Sequence, residues 1–170
     1  MKSIFFKSLL LAFLSLWVSC SSTQQKTIQP KSSVPSDFVT VQSKDNYEKG
    51  EEATFVIKNK SKEQDVLLFQ PKKILVEKQT EKGWEKVSIR YCPCGASCPP
   101  PPEWEVLKPQ STKRVKWDLN KEWCGEMSSE RKVPETKKEY AGVGTYRFVL
   151  RYSLDKGKRI LTDYTKFELK

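Results

Sequence analysis

The chain contains no histidine. That absence removes Ser-His-Asp and Cys-His nucleophilic arrangements and the common histidine metal sites together. A C-x-x-C pair is also missing: the cysteines of YCPCGASC are spaced by one and three residues, so dithiol redox chemistry is not expected. Arginine is scarce, 6 residues against 25 lysines, and arginine is the side chain suited to bidentate phosphate recognition. With no basic-aromatic motif beside it, a nucleic-acid partner is not expected. No segment of useful length carries a helical hydrophobic period, and no internal repeat is visible. The lone GxG, Gly142-Val143-Gly144, opens a strand as a turn and does not cradle phosphate. Glu51-Glu52 is a charged strand entry, with nothing to make it an acid/base pair. Neither an enzyme nor a cofactor is expected.

The apolar run is short as well. Residues 9–18 are apolar except for Ser15, too few to span a bilayer comfortably as a permanent helix. Lys2 and Lys7 precede the run and Cys20 closes it, the layout of a secretory signal. The stretch VSC followed by SSTQQ resembles the bacterial lipoprotein signal, with Trp17 standing where that motif usually has leucine. The resemblance implies that residues 1–19 are a signal peptide and that Cys20 is acylated as the new N-terminus. Each buried lipid CH₂ contributes about 0.8 kcal/mol, so several acyl chains hold a protein on a membrane without crossing it. Ser21 and Ser22 follow Cys20 with no aspartate, which in the sorting logic of such lipoproteins points to the outer membrane, its periplasmic or surface face left open.

Loss of Lys2 and Lys7 with the leader lowers the net charge from +10 to +8, carried mostly by lysine. A solvated basic surface is the plain reading. Residues 20–36 have the polar, proline-containing composition of a lipid-anchored tether, with a mean span of roughly 20 Å. The remaining residues, 37–170, suffice for one domain with a real core.

From residue 37 onward apolar residues alternate with polar ones, and Gly, Pro, Asn and Asp stand at the breaks. Strands are expected at 38–42, 53–57, 66–70, 74–79, 87–91, 104–106, 115–119, 146–152 and 160–169, the last carrying a bulge near 162–164 where alternation slips. Eight or nine short antiparallel strands suggest a single immunoglobulin-like β-sandwich with a cysteine- and proline-rich loop. The order NYEKGEEATFVIKNKS, EKGWEKV, LKPQSTKRVKWDL, AGVGTYRFVLRY resembles the Ig-like domains of many bacterial exported proteins. Gln110 stands where such domains usually have glycine after the proline. The resemblance implies a fold and leaves the activity open.

After Cys20, four cysteines remain: Cys92, Cys94, Cys98 and Cys124. In an oxidising envelope an even number pairs, and four allow three connectivities. A Cys92–Cys94 bridge across one proline would be strained, so Cys124 is expected to join the cluster, as Cys92–Cys124 with Cys94–Cys98. The proline run at 99–102 favours an extended arm, which makes Pro99, Pro100 and Trp104 candidates for a stiff binding loop. The alternative is a soft-metal site for Cu(I) or Zn²⁺ from Cys92, Cys94, Cys98 and Cys124 with Met127. The expected function is therefore a non-catalytic, membrane-anchored envelope lipoprotein, a protein-binding or structural module; the alternative is metal handling. Lys170 adds a specific variant: kringle domains of host plasminogen recognise C-terminal lysines, against the plain reading of a charged chain end.

Overall fold

The computed structural model describes residues 37–127 and 133–170. The signal peptide 1–19, the acylation candidate Cys20 and the tether 20–36 lie outside the described residues.

The described residues contain strands and no helix. The strands are β1 (Val39–Gln42), β2 (Asn46–Tyr47), β3 (Ala53–Asn59), β4 (Val66–Phe69), β5 (Val76–Thr80), β6 (Gly83–Lys86), β7 (Trp104–Leu107), β8 (Thr112–Trp117), β9 (Asn120–Cys124), β10 (Thr136–Tyr140), β11 (Gly144–Ser153) and β12 (Leu161–Leu169). All-β architecture follows from the sequence pattern: Ala53, Phe55 and Ile57 alternate with outward partners, and so do Tyr146, Phe148, Leu150 and Tyr152. Twelve strands replace the expected eight or nine. The additions are β2, only two residues long, β6, which falls where a hairpin turn was expected and stands in place of a strand at 87–91, and the lysine- and glutamate-rich pair β9 and β10, which carries little hydrophobic alternation.

One sheet has the order β1-β3-β8. A larger one runs β2-β12-β11-β4-β7, with β5 also paired to β11 and β6 paired to β5. Their inner faces share one core. Phe55 of the first sheet stacks on Phe148 of the second at 4.4 Å between centroids, and Trp117 meets Tyr146 at 5.9 Å. A separate ribbon joins β9 to β10.

Several local expectations are corrected. The β11–β12 ladder runs in constant register from Gly144 opposite Leu169 to Tyr152 opposite Leu161, so there is no bulge at 162–164. Alternation slips there because the outer face of this sheet carries aromatic rings of its own: the Arg147 guanidinium lies over the rings of Trp84 (4.3 Å) and Tyr164 (4.0 Å), while Glu77 accepts from its Nε at 2.6 Å. Leu119 is fully buried but lies beyond β8, at a left-handed φ of 60°. Residues 87–91 form no strand. Val87 N–H still donates to Val76 O at 2.8 Å, and the chain then leaves the sheet.

Two turns show the chemistry behind the repeated motifs. Asn59 is buried within NKSK; its amide donates to the carbonyls of Gln64 and Leu107, and its oxygen accepts from Ser61 N–H. Gln110 takes the left-handed conformation that glycine would adopt more easily, at φ 59°. Its side-chain amide donates to Lys60 O (2.6 Å) and Ser61 O (2.9 Å), which fastens the unusual residue.

Candidate functional site

Two excursions leave the sheets, one between β6 and β7 and one between β8 and β11, and they are bound to each other. Cys94 bridges to Cys124 at the end of β9, with Cα atoms 5.6 Å apart. Cys92 bridges to Cys98 within the loop, at 6.2 Å. All four cysteines pair, but the expected connectivity is corrected. A turn in which Ala96 N–H donates to Pro93 O brings Cys98 back beside Cys92. Cys94 is left inward, where its N–H donates to Thr136 Oγ1 of β10 at 2.8 Å and its sulfur reaches β9. Gly95 completes the turn at φ 71°, and a side chain there would run into Val133.

Hydrogen bonds reinforce the covalent stitching. Glu122 N–H donates to Ser88 O at 2.7 Å, and Ser88 Oγ donates to Glu122 O at 2.6 Å. Lys138 of β10 bridges Glu122 (2.6 Å) and Asp118 (3.1 Å). Those bonds, Glu122 first, raise the Lys138 ammonium above its ordinary value. Asp118 is held below the usual carboxylate range, because hydrogen bonds from Asn120 and Lys138 outweigh the opposing effect of its partial burial. The two excursions thus form one stapled lobe.

Four of the eight large hydrophobic side chains exposed among the described residues belong to this lobe: Tyr91 (47%), Trp123 (39%), Met127 (69%) and Val133 (51%). Pro99 and Pro100 are exposed on it too. Trp104 lies apart from them in β7, half-buried, with its ring edge-on to Phe69 at 5.0 Å and against Gly157. It serves as a packing residue at the root of the proline arm. Lys170 is exposed, but its backbone is tied down: its N–H donates to Tyr47 O and its O accepts from Tyr140 Oη, both at 3.0 Å.

With their sulfurs in bridges, Cys92, Cys94, Cys98 and Cys124 do not form the alternative thiolate set with Met127. Among the described residues no group of three or more His, Cys, Asp or Glu side chains converges on a metal position. Trp123, Val133, Ser88 and Lys138 were not legible as lobe residues. Their signal is the β9–β10 pairing, whose strands NKEWC and TKKEY lack an apolar face.

Comparison with protein-family models finds no match, and neither does comparison with curated proteins.

Proposed function

We propose that the protein is a non-catalytic, lipid-anchored module of the bacterial envelope, more specifically of the outer membrane, and that its stapled lobe binds another protein. The observation that carries the reading is the lobe itself. Two bridges and the Ser88–Glu122 pairing staple together two excursions that between them expose Tyr91, Trp123, Met127 and Val133. Aromatic and methionine side chains are the types enriched where proteins bind one another, and a cross-linked backbone beneath them lowers the entropic cost of binding. Bridged cysteines also agree with the exported location implied by the Cys20 signal.

The domain is read as immunoglobulin-like. In that reading β1-β3-β8 corresponds to strand order A-B-E and β12-β11-β4 to G-F-C. Tyr146, near the start of β11, places its hydroxyl 2.6 Å from Ala141 O and 2.7 Å from Gly142 O. A tyrosine bonded to backbone a few residues upstream at this position is a recurrent feature of such sandwiches.

Photo-cross-linking in the bacterium that makes the protein tests the reading. A benzophenone side chain at Tyr91 or Met127 should yield a discrete cross-linked protein, and one at Ile160 should not. Cys20→Ala should move the protein from the membrane to the soluble fraction. Equal cross-linking from all three positions would overturn the lobe as binding site, and unchanged membrane retention of the Cys20 variant would overturn the lipid anchor.

A further inference from the structure

A cleft of about 260 Å³ opens at the base of the lobe, between the β4–β5 connection and the segment running from β6 into the first bridge. Its charged lining is entirely cationic: Lys73, Lys86 and Arg90, all exposed. No carboxylate lines it. Elsewhere on the molecule lysines commonly face a carboxylate, as in Lys44–Glu51, Lys113–Glu105 and Lys116–Glu52. Among the described residues, Lys73, Lys86 and Arg90 form no ion pair.

Apart from Ser88, whose hydroxyl is committed to Glu122 O, the remaining lining side chains are apolar. Ile74 and Ile89 are half-buried and pack against the core. Tyr91, half exposed, has the Lys73 ammonium 5.9 Å from its ring centroid. Arg90 is steadied by its Nε donating to Cys92 O at 3.1 Å, and Cys92 is itself locked to Cys98. Three positive side chains thus line one opening beside an apolar wall.

We propose that this cleft receives an acidic segment of a partner protein, with a carboxylate side chain among Lys73, Lys86 and Arg90 and an adjacent apolar side chain against Ile74, Ile89 and Tyr91. The inference rests on the protein-binding reading of the lobe and extends it to the chemistry of the partner. Two features favour a peptide over a free anion. The cleft's mixed lining reads a charged and an apolar group side by side. And Tyr91 belongs both to the cleft and to the exposed patch of the lobe, so a chain lying on the patch can reach the cations. Opposite charge of this kind governs association rate and partner choice more than total affinity.

The test uses a fluorescent peptide of alternating glutamate and phenylalanine, its glutamine isostere, inorganic phosphate and anionic-lipid vesicles, with the purified oxidised protein. The glutamate peptide is expected to bind and the glutamine peptide to bind at least tenfold more weakly. Lys73→Glu with Lys86→Glu should weaken binding of the glutamate peptide at least tenfold, with Lys86→Gln giving a smaller loss in the same direction. Lys158→Glu, on the β11–β12 turn, should leave binding within about twofold. An unchanged far-ultraviolet circular dichroism spectrum and thermal midpoint confirm that each variant is folded. Equal losses from the Lys158 and cleft variants would mean attraction to the general positive charge, and would overturn the site. So would equal binding of the glutamine peptide. Displacement of the peptide by phosphate at matched concentration, or vesicle binding with the same dependence on Lys73 and Lys86, would reassign the cleft to a free or lipid-borne anion and overturn the peptide. Lobe cross-links that survive the Lys73/Lys86 variant would sink the cleft alone, whereas loss of the lobe reading shows first in the Tyr91 and Met127 cross-links.

Discussion

Tyr146 shows how one side chain ties local turn to core. Its ring is fully buried against Trp117 and Phe167, and its hydroxyl is shared between the carbonyls of Ala141 and Gly142. Burial first, then the neighbouring Tyr140 hydroxyl, pushes the phenol up to about 12. The folded state therefore holds this proton more tightly than the unfolded chain, whose tyrosine ionises near pH 10. Its contribution is complete below about pH 10 and is lost as pH rises toward about 12. Tyr146→Phe is expected to cost about 1 kcal/mol at neutral pH, because the part-buried hydrogen bond that the hydroxyl shares between the Ala141 and Gly142 carbonyls is lost. It should also flatten the decline in stability above about pH 10. Urea unfolding of both proteins at neutral and alkaline pH checks both effects; parallel pH curves would contradict the second. The aromatic at 146 was legible as a core position. Its hydroxyl bonds were not, because nothing in the alternation says where a turn four residues upstream points its carbonyls.

At the scale of elements, hydrophobic alternation located the long strands and failed on those that owe their existence to neighbours. β11 and β12 carry their own apolar face. β9 and β10 do not, and they pair because Cys124, Glu122 and Lys138 anchor them to the cysteine loop and to Asp118. The bridges should differ in weight. Cys94–Cys124 spans 30 residues and Cys92–Cys98 spans 6. By loop-closure entropy these contribute about 3–4 and about 2 kcal/mol. Replacing Cys94 and Cys124 together by serine should accordingly lower the denaturation midpoint more than replacing Cys92 and Cys98, and the first variant should retain one bridge with no free thiol. A larger loss from the Cys92/Cys98 variant would contradict this ordering.

At the scale of the whole molecule, one core joins the two larger sheets, so they should unfold together. Phe55 is fully buried, stacked on Phe148 and tilted against Phe167 at 5.3 Å. Phe55→Ala should cost about 3–5 kcal/mol and lower a single thermal transition seen alike by far- and near-ultraviolet circular dichroism. Two separated transitions would mean that the sheets are independent units.

What the sequence by itself determined is the class of architecture, the inward face of each long strand, and the presence of a bridged, proline-rich excursion. These follow from period-two burial and from cysteine number, both local quantities. Only the tertiary structure decided which cysteine meets which, that the second excursion folds onto the first, and that Lys73, Lys86 and Arg90 share a cleft. Those depend on where a turn returns the chain in space. The Pro93–Ala96 reversal sends Cys98 to Cys92 and Cys94 to β9, a choice set by a few ångströms of backbone and invisible in residue spacing.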